Sequence, residues 1–187
     1  ISRMHGYGVD TDLIIEQPGR LGTYYLEQGN SVRGSQVTYD RKYSSIAMLE
    51  ELCWDLDEIF KGVDLLHISG IVPALSKKWQ SWTVEIVKKA KEYGCLVSFD
   101  MNYRSKLWGY EEAYPCFQQI FPYVDILSAG RLDAIHFLQV ATAEEEVSLE
   151  EIYRRVKEKY ANIKVLYSTK RNVFSTNHHE LQGFYVG

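Results

Sequence analysis

The chain has 187 residues, 45% of them hydrophobic and 25% charged, which is typical of a soluble globular protein with one sizeable core. Its net charge of -4 at pH 7 argues against a nucleic-acid or anionic-membrane partner, because either would require a basic surface. No apolar run approaches the roughly 20 residues of a membrane span. The three widely spaced cysteines, Cys53, Cys95 and Cys116, predict a reducing, cytoplasmic setting without disulfides.

The first part of the chain predicts a small β-structure. Residues 13–42 contain β-rich runs at 13–16, 22–27 and 36–41, separated by Pro-Gly and Gly-Asn turn signals, with no helix between them. We expect these residues to form an antiparallel lid on a core made of residues 1–12 and 43–187.

From Ser44 onwards, strand and helix patterns alternate. The expected helices are 44–60, 76–94, 111–121, 131–138 and 148–160, the last opened by an S-x-x-E capping box at Ser148 and Glu151. The expected strands are 63–68, 96–99, 123–127 and 163–168, followed by a terminal hairpin over 173–186. This alternation predicts an α/β fold, Rossmann-like, with a mainly parallel sheet, helices on both of its faces and the small β-sheet lid.

Polar side chains cluster where the second of these strands ends. Asp100, Asn102 and Arg104 follow the buried run in C-L-V-S-F, and ligands of open α/β sheets bind beyond the carboxyl ends of the strands. The alternative is that Asp100 and Asn102 cap a turn while Arg104 is solvated.

The lid offers a second group of polar side chains. Tyr39 and Arg41 are two residues apart in a strand and share a face, and Tyr25 on the neighbouring strand is expected to join them. A guanidinium with phenol hydroxyls suits an acidic or polyhydroxylated ligand. The alternative is an exposed hairpin with Arg41 in water.

The histidines do not predict a metal site. His178 and His179 are adjacent in a strand and point to opposite faces, so they cannot easily bind one ion. His67 lies in an apolar strand and is expected to be a hydrogen-bonded core residue.

Three stretches resemble one known family. They are R-L-G-T-Y-Y-L-E-Q-G … V-T-Y-D-R-K-Y-S-S in the lid, L-L-H-I-S-G-I, and S-F-D-M-N-Y-R-S-K-L-W. Together they are similar to the ribokinase-like (PfkB) carbohydrate kinases, and most similar to the 2-keto-3-deoxygluconate kinases (2-dehydro-3-deoxygluconokinases) among them.

The resemblance implies an ATP:sugar phosphotransferase, with ATP and Mg²⁺ as cofactors, that phosphorylates the terminal hydroxyl of 2-keto-3-deoxygluconate. By matching position, it implies that the substrate contacts Tyr25, Tyr39, Arg41 and Arg104. It also implies that ATP contacts Asn102, Arg104 and Ser168, the last at the end of the 163–168 strand. Phosphoryl transfer is mainly positioning and charge stabilisation, which agrees with the arginines found here.

The sequence also departs from the family. It has neither the opening G-D or G-E strand nor the later G-A-G-D segment, whose Asp is the family's catalytic base, and residues 128–133 (S-A-G-R-L-D) replace the usual N-x-x-E. We expect a partial chain whose catalytic base lies outside it and which is inactive alone. Alternatives are another PfkB kinase, such as a fructokinase or 5-keto-2-deoxygluconate kinase, and a non-catalytic sugar-binding module. The exposed lid predicts a homo-oligomer formed through it.

Overall fold

The computed structural model describes residues 1–29, 34–175 and 178–187 and contains two β-sheets. The smaller sheet pairs β1 (Thr23–Glu27) with β2 (Gln36–Asp40) in antiparallel orientation. The larger sheet has five strands in chain order: β3 (Leu65–Ser69), β4 (Leu96–Asp100), β5 (Ile126–Ser128), β6 (Val165–Ser175) and β7 (His178–Val186). Strands β3 to β6 are parallel and β7 returns antiparallel. The expected mainly parallel α/β sheet, with a small separate β-sheet, is therefore confirmed.

Helices connect the parallel strands. The helices of the described ranges are α1 (Ser2–His5), α2 (Leu56–Ile59), α3 (Lys77–Glu92), α4 (Tyr110–Ile120), α5 (Arg131–His136) and α6 (Leu149–Lys159). Helix α6 begins where the sequence predicts, because the Ser148 hydroxyl accepts a hydrogen bond from the Glu151 N–H (3.2 Å). The Glu151 carboxylate instead accepts from Arg154 and Arg155 (2.8 Å each).

The core lies between the large sheet and one layer of helices. Consecutive parallel strands are neighbours, so right-handed crossovers place α3, α4 and α6 on the same face. Strand side chains on this face, such as Phe99 and Leu127, are fully buried, whereas Leu65 and Leu96 on the opposite face are 44% and 39% exposed. The helices that connect the parallel strands therefore cover this face of the sheet.

A buried carboxylate joins the other end of the sheet to α3. Asp125, just before β5, accepts hydrogen bonds from Lys91 (2.7 Å) and from the Val97 N–H (2.8 Å). Burial alone raises the pKa of Asp125, but these two donors outweigh it and hold the pKa below its ordinary value. Asp125 therefore supports the fold far from the strands' carboxyl ends.

The expected helix over 44–60 is wrong except for its last turn. Residues 44–55 form turns and bends, and α2 begins only after Asp55, whose carboxylate caps it. The Trp79 indole N–H donates to the Ile46 carbonyl (2.7 Å), and the Lys78 ammonium donates to the Glu50 carbonyl (2.9 Å). Side chains of α3 therefore bind carbonyls that a continuous helix would use for its own hydrogen bonds.

Two smaller expectations are also corrected. Residues 13–16 form no strand, and the Leu13 carbonyl accepts from the Trp54 indole N–H (2.9 Å). His67 is exposed rather than buried, because β3 lies at the edge of the sheet, and its Nδ1 is hydrogen-bonded to the Ser98 hydroxyl (2.9 Å). Among the described residues, no helix is long and apolar enough to cross a membrane.

Candidate active site

The loops that leave β3 and β4 pack directly against each other. The Gly70 N–H donates to the Asp100 carbonyl (2.8 Å), and a Cβ on Gly70 would lie 2.1 Å from the Met101 carbonyl oxygen. Only glycine permits this approach. Asn102 follows with a positive φ of 37°, which asparagine tolerates, and its amide donates to the Ser69 hydroxyl (3.0 Å). The β4 exit is therefore fixed by backbone contact and by a side-chain hydrogen bond.

The carboxyl ends of β4 and β5 and the middle of β6 enclose a cavity of about 330 Å³, here named the edge cavity. It brings together all three residues expected at ATP, Asn102, Arg104 and Ser168. Thr169 and Ser128 add further hydroxyl groups. The cavity thus offers amide, guanidinium and hydroxyl donors in one place, a combination that suits phosphate oxygens.

The edge cavity also contains two carboxylates. Asp100 ends β4, and Asp133, in the first turn of α5, accepts a hydrogen bond from the Gly130 N–H (2.8 Å). Burial raises the pKa of Asp133, and the nearby Asp100 charge adds to this. In the ranges that the structure describes, no group of three or more histidine, cysteine or acidic side chains could hold a metal ion. Two carboxylates beside phosphate donors nevertheless fit Mg²⁺, which proteins bind through one or two carboxylates plus the substrate's phosphates.

One wall of the edge cavity is an aromatic stack that the sequence did not reveal. The Tyr110 ring lies between Tyr103 (4.7 Å between centroids) and His136 (4.1 Å), each nearly parallel to it. Tyr103 and Tyr110 are close in the chain, but His136 comes from α5, so sequence spacing gave no signal for the third ring. The Tyr103 hydroxyl donates to the Trp108 carbonyl (2.9 Å) and ties the stack to the loop that carries Arg104.

A larger cavity of about 770 Å³, here named the lid cavity, lies between β2 and the loop after β4. The lid contributes Tyr39, Arg41 and Lys42, and the loop contributes Arg104 and Lys106. Four of its described lining residues are cations and none is a carboxylate. Arg104 lines both cavities, so the two cavities adjoin at its side chain.

The cations of the lid cavity have no acidic partner in the part of the chain described. Arg41 lies over the Tyr39 ring (4.4 Å to the centroid), a cation–π contact that leaves its donors available. Neither Arg41 nor Arg104 makes an ion pair there, whereas Arg20 on the same lid is paired with Asp40 (2.5 Å). Unpaired guanidinium groups in a concave site favour an anionic ligand.

Tyr25 is the one expected substrate residue that the structure does not bring to this cavity. The register of the lid pairs Tyr24 with Tyr39 and Tyr25 with Thr38. Tyr24 therefore shares a face with Tyr39 (6.4 Å between ring centroids), while Tyr25 lies on the other face and is 65% exposed. Strand periodicity alone cannot decide which of two consecutive tyrosines faces Tyr39.

Comparison with known proteins places this site in a family. The model of the pfkB family carbohydrate kinases matches residues 1–179, so the chain belongs to that family. The 2-dehydro-3-deoxygalactonokinase of Haloferax volcanii is 36% identical over 134 residues, which are 71% of this chain and 41% of that protein.

Two solved structures are similar over nearly the whole chain. A PfkB family carbohydrate kinase from Listeria grayi shares 43% identity with a TM-score of 0.91, covering 99% of this chain and 56% of its own. The 2-dehydro-3-deoxygluconokinase of Thermotoga maritima shares 34% identity with a TM-score of 0.88, covering 98% and 56%. The fold is therefore ribokinase-like, and the chain spans about half the length of these relatives.

Proposed function

We propose that this chain forms the substrate- and nucleotide-binding part of an ATP-dependent sugar kinase. Its reaction would phosphorylate the terminal hydroxyl of 2-keto-3-deoxygluconate to give 2-keto-3-deoxy-6-phosphogluconate. The observation that carries the proposal is the lid cavity, with four cations and no carboxylate among its described lining residues. A neutral sugar would leave these guanidinium donors without partners, whereas an acidic sugar satisfies them.

The assignment of residues follows the two cavities. Tyr39, Arg41 and Arg104 would hold the carboxylate and hydroxyls of the sugar in the lid cavity. Asn102, Arg104 and Ser168 would bind the phosphates of ATP in the edge cavity, with Asp100 and Asp133 close to its Mg²⁺. Arg104 would therefore act on both ligands, where the charge of the transferring phosphoryl group develops. Bound Mg²⁺ would neutralise phosphate charge.

We propose that the base that deprotonates the acceptor hydroxyl lies outside the 187 residues. This explains why the cavities contain binding groups but the chain has no G-A-G-D segment. The test is to assay the 187-residue polypeptide and the product of the whole reading frame with MgATP and 2-keto-3-deoxygluconate. Turnover by the whole product alone supports the proposal, and appreciable turnover by the 187-residue polypeptide overturns it.

The substrate is tested by measuring ADP release from a panel of sugars at equal concentration. We expect the highest kcat/KM for 2-keto-3-deoxygluconate. Its epimer, 2-keto-3-deoxygalactonate, belongs in the panel because of the Haloferax volcanii relative. A preference for fructose, ribose or 5-keto-2-deoxygluconate would assign the chain to another branch of the family. A whole product that binds acidic sugar but never releases ADP would support the non-catalytic module instead.

We further propose that two copies associate through the lid. Tyr24, Tyr25 and Leu26 are 64%, 65% and 54% exposed on a two-stranded sheet with free edges. Residues 13–42 would form this lid, residues 1–12 and 43–187 the core, and the protein would function in the cytoplasm. Light scattering of the whole product, before and after Tyr24→Ser and Leu26→Ser, tests the association, and a monomeric wild type contradicts it.

A further inference from the structure

A buried tyrosine on α6 contacts a residue of the edge cavity from behind. Tyr153 is 1% exposed, and its hydroxyl donates to the Ser168 hydroxyl oxygen at 2.5 Å. The next acceptor within reach of the Tyr153 hydroxyl is the Ala129 carbonyl, at 3.4 Å. The phenol therefore lies between the end of β5 and the middle of β6, where both strands border the edge cavity.

This hydrogen bond determines what Ser168 can do. A hydroxyl has one proton and two lone pairs. Because the Tyr153 proton occupies one lone pair of Ser168, the proton of Ser168 has to point elsewhere. Ser168 has no other side-chain hydrogen bond within the described portion of the chain, and it lines the edge cavity.

We infer that Tyr153 is a positioning residue for nucleotide binding, which holds the Ser168 hydroxyl as a donor towards a phosphate oxygen in the edge cavity. The inference rests on the proposed function, since it takes the ligand of this cavity to be a nucleoside triphosphate. Without the phenol, the Ser168 hydroxyl would be free to rotate and to donate its proton to water or to another acceptor. The Ser168 hydroxyl would then point towards the phosphate oxygen for only part of the time, and the hydrogen bond to the ligand would be weaker on average.

The Tyr153→Phe variant of the whole reading frame's product tests this, because it removes one hydroxyl and keeps the ring. The matched control is Tyr160→Phe at the end of the same helix, where the hydroxyl donates to the Gln118 side chain (3.2 Å) and lines neither cavity. We expect Tyr153→Phe to weaken MgATP binding roughly three- to tenfold, the worth of one hydrogen bond. Its KM for ATP should rise by the same factor, with kcat within about twofold, and Tyr160→Phe should leave both unchanged.

A cycle with Ser168→Ala separates positioning from a merely structural role. In the Ser168→Ala background, Tyr153→Phe should change ATP affinity by less than about twofold, although it still lowers the melting temperature. If Tyr153→Phe binds MgATP as tightly as wild type, the inference is overturned and the proposed function is not. The same holds if Tyr153→Phe lowers MgATP affinity equally in the wild-type and Ser168→Ala backgrounds. A wild-type protein that binds no MgATP overturns the proposed function and the inference with it.

Discussion

The close contact at Gly70 gives a sharp prediction. In Gly70→Ala, the new methyl group would lie 2.1 Å from the Met101 carbonyl oxygen, 3.0 Å from its carbonyl carbon and 3.2 Å from Phe117. Two of these atoms belong to the backbone, so no side-chain rotation relieves the clash. The loop after β4 would have to move by roughly 1 Å or more to reach an ordinary contact distance.

The expected cost follows from this geometry. Overpacking a rigid site costs about 1–3 kcal/mol, and a chain of this size loses about 2–4 °C of melting temperature per kcal/mol. We therefore expect Gly70→Ala to melt about 5–10 °C lower, at the upper end of these ranges. MgATP binding should weaken as well, because Asn102 follows the displaced residue.

Thermal denaturation and nucleotide titration measure the two effects. Gly183→Ala is the matched control, since that glycine lies in β7 with no atom within 4 Å of the added methyl and with no positive φ. A Gly70→Ala protein with the melting temperature and ATP affinity of wild type would refute the reasoning about this contact.

Three further predictions concern charge and burial. Arg104→Gln should raise the KM for the acidic sugar by about 10- to 100-fold, which corresponds to the free energy of one charge-assisted hydrogen bond. The control Arg154→Gln changes an exposed arginine and should leave KM unchanged. Equal KM values in the two variants would contradict the prediction. Asp125→Asn should lower the free energy of unfolding by about 2 kcal/mol at pH 7. Because the folded pKa of Asp125 lies below its ordinary value, the stabilisation that its carboxylate gives is present at neutral pH and is lost on acidification through that pKa. The free energy of unfolding of Asp125→Asn should therefore fall less on acidification than that of wild type. Identical acid dependence in the two proteins would argue against this. Burial raises the pKa of Cys116 to about 11, so iodoacetamide at pH 8 should alkylate the half-buried Cys53 before Cys116. Mass spectrometry of the peptides would show the order of alkylation, and modification of Cys116 first would refute the prediction.

The sequence was a good guide wherever local chemistry decides the structure. The start of α6 at Ser148 depends on one side chain accepting one backbone hydrogen bond, which the S-x-x-E pattern shows directly. The position of Asp100, Asn102 and Arg104 at the carboxyl end of a buried strand was equally clear. Arg41 and Arg104, more than sixty residues apart, line one cavity, as the family resemblance implied.

The remaining features depend on contacts between distant segments. Ile46 and Leu49 have helical spacing, yet residues 44–55 are not helical, because indole and ammonium donors of α3 bind their carbonyl groups. The face on which Tyr25 lies depends on the register of the lid, and the exposure of His67 depends on its strand being at an edge. Apolar spacing carries no information about any of these.

The most direct test is a crystal structure of the whole reading frame's product with 2-keto-3-deoxygluconate and a non-hydrolysable ATP analogue. We expect the sugar carboxylate within hydrogen-bonding distance of Arg41 or Arg104 in the lid cavity, and the triphosphate beside Ser168 in the edge cavity. A sugar bound elsewhere, with both guanidinium groups facing solvent, would contradict the proposed function.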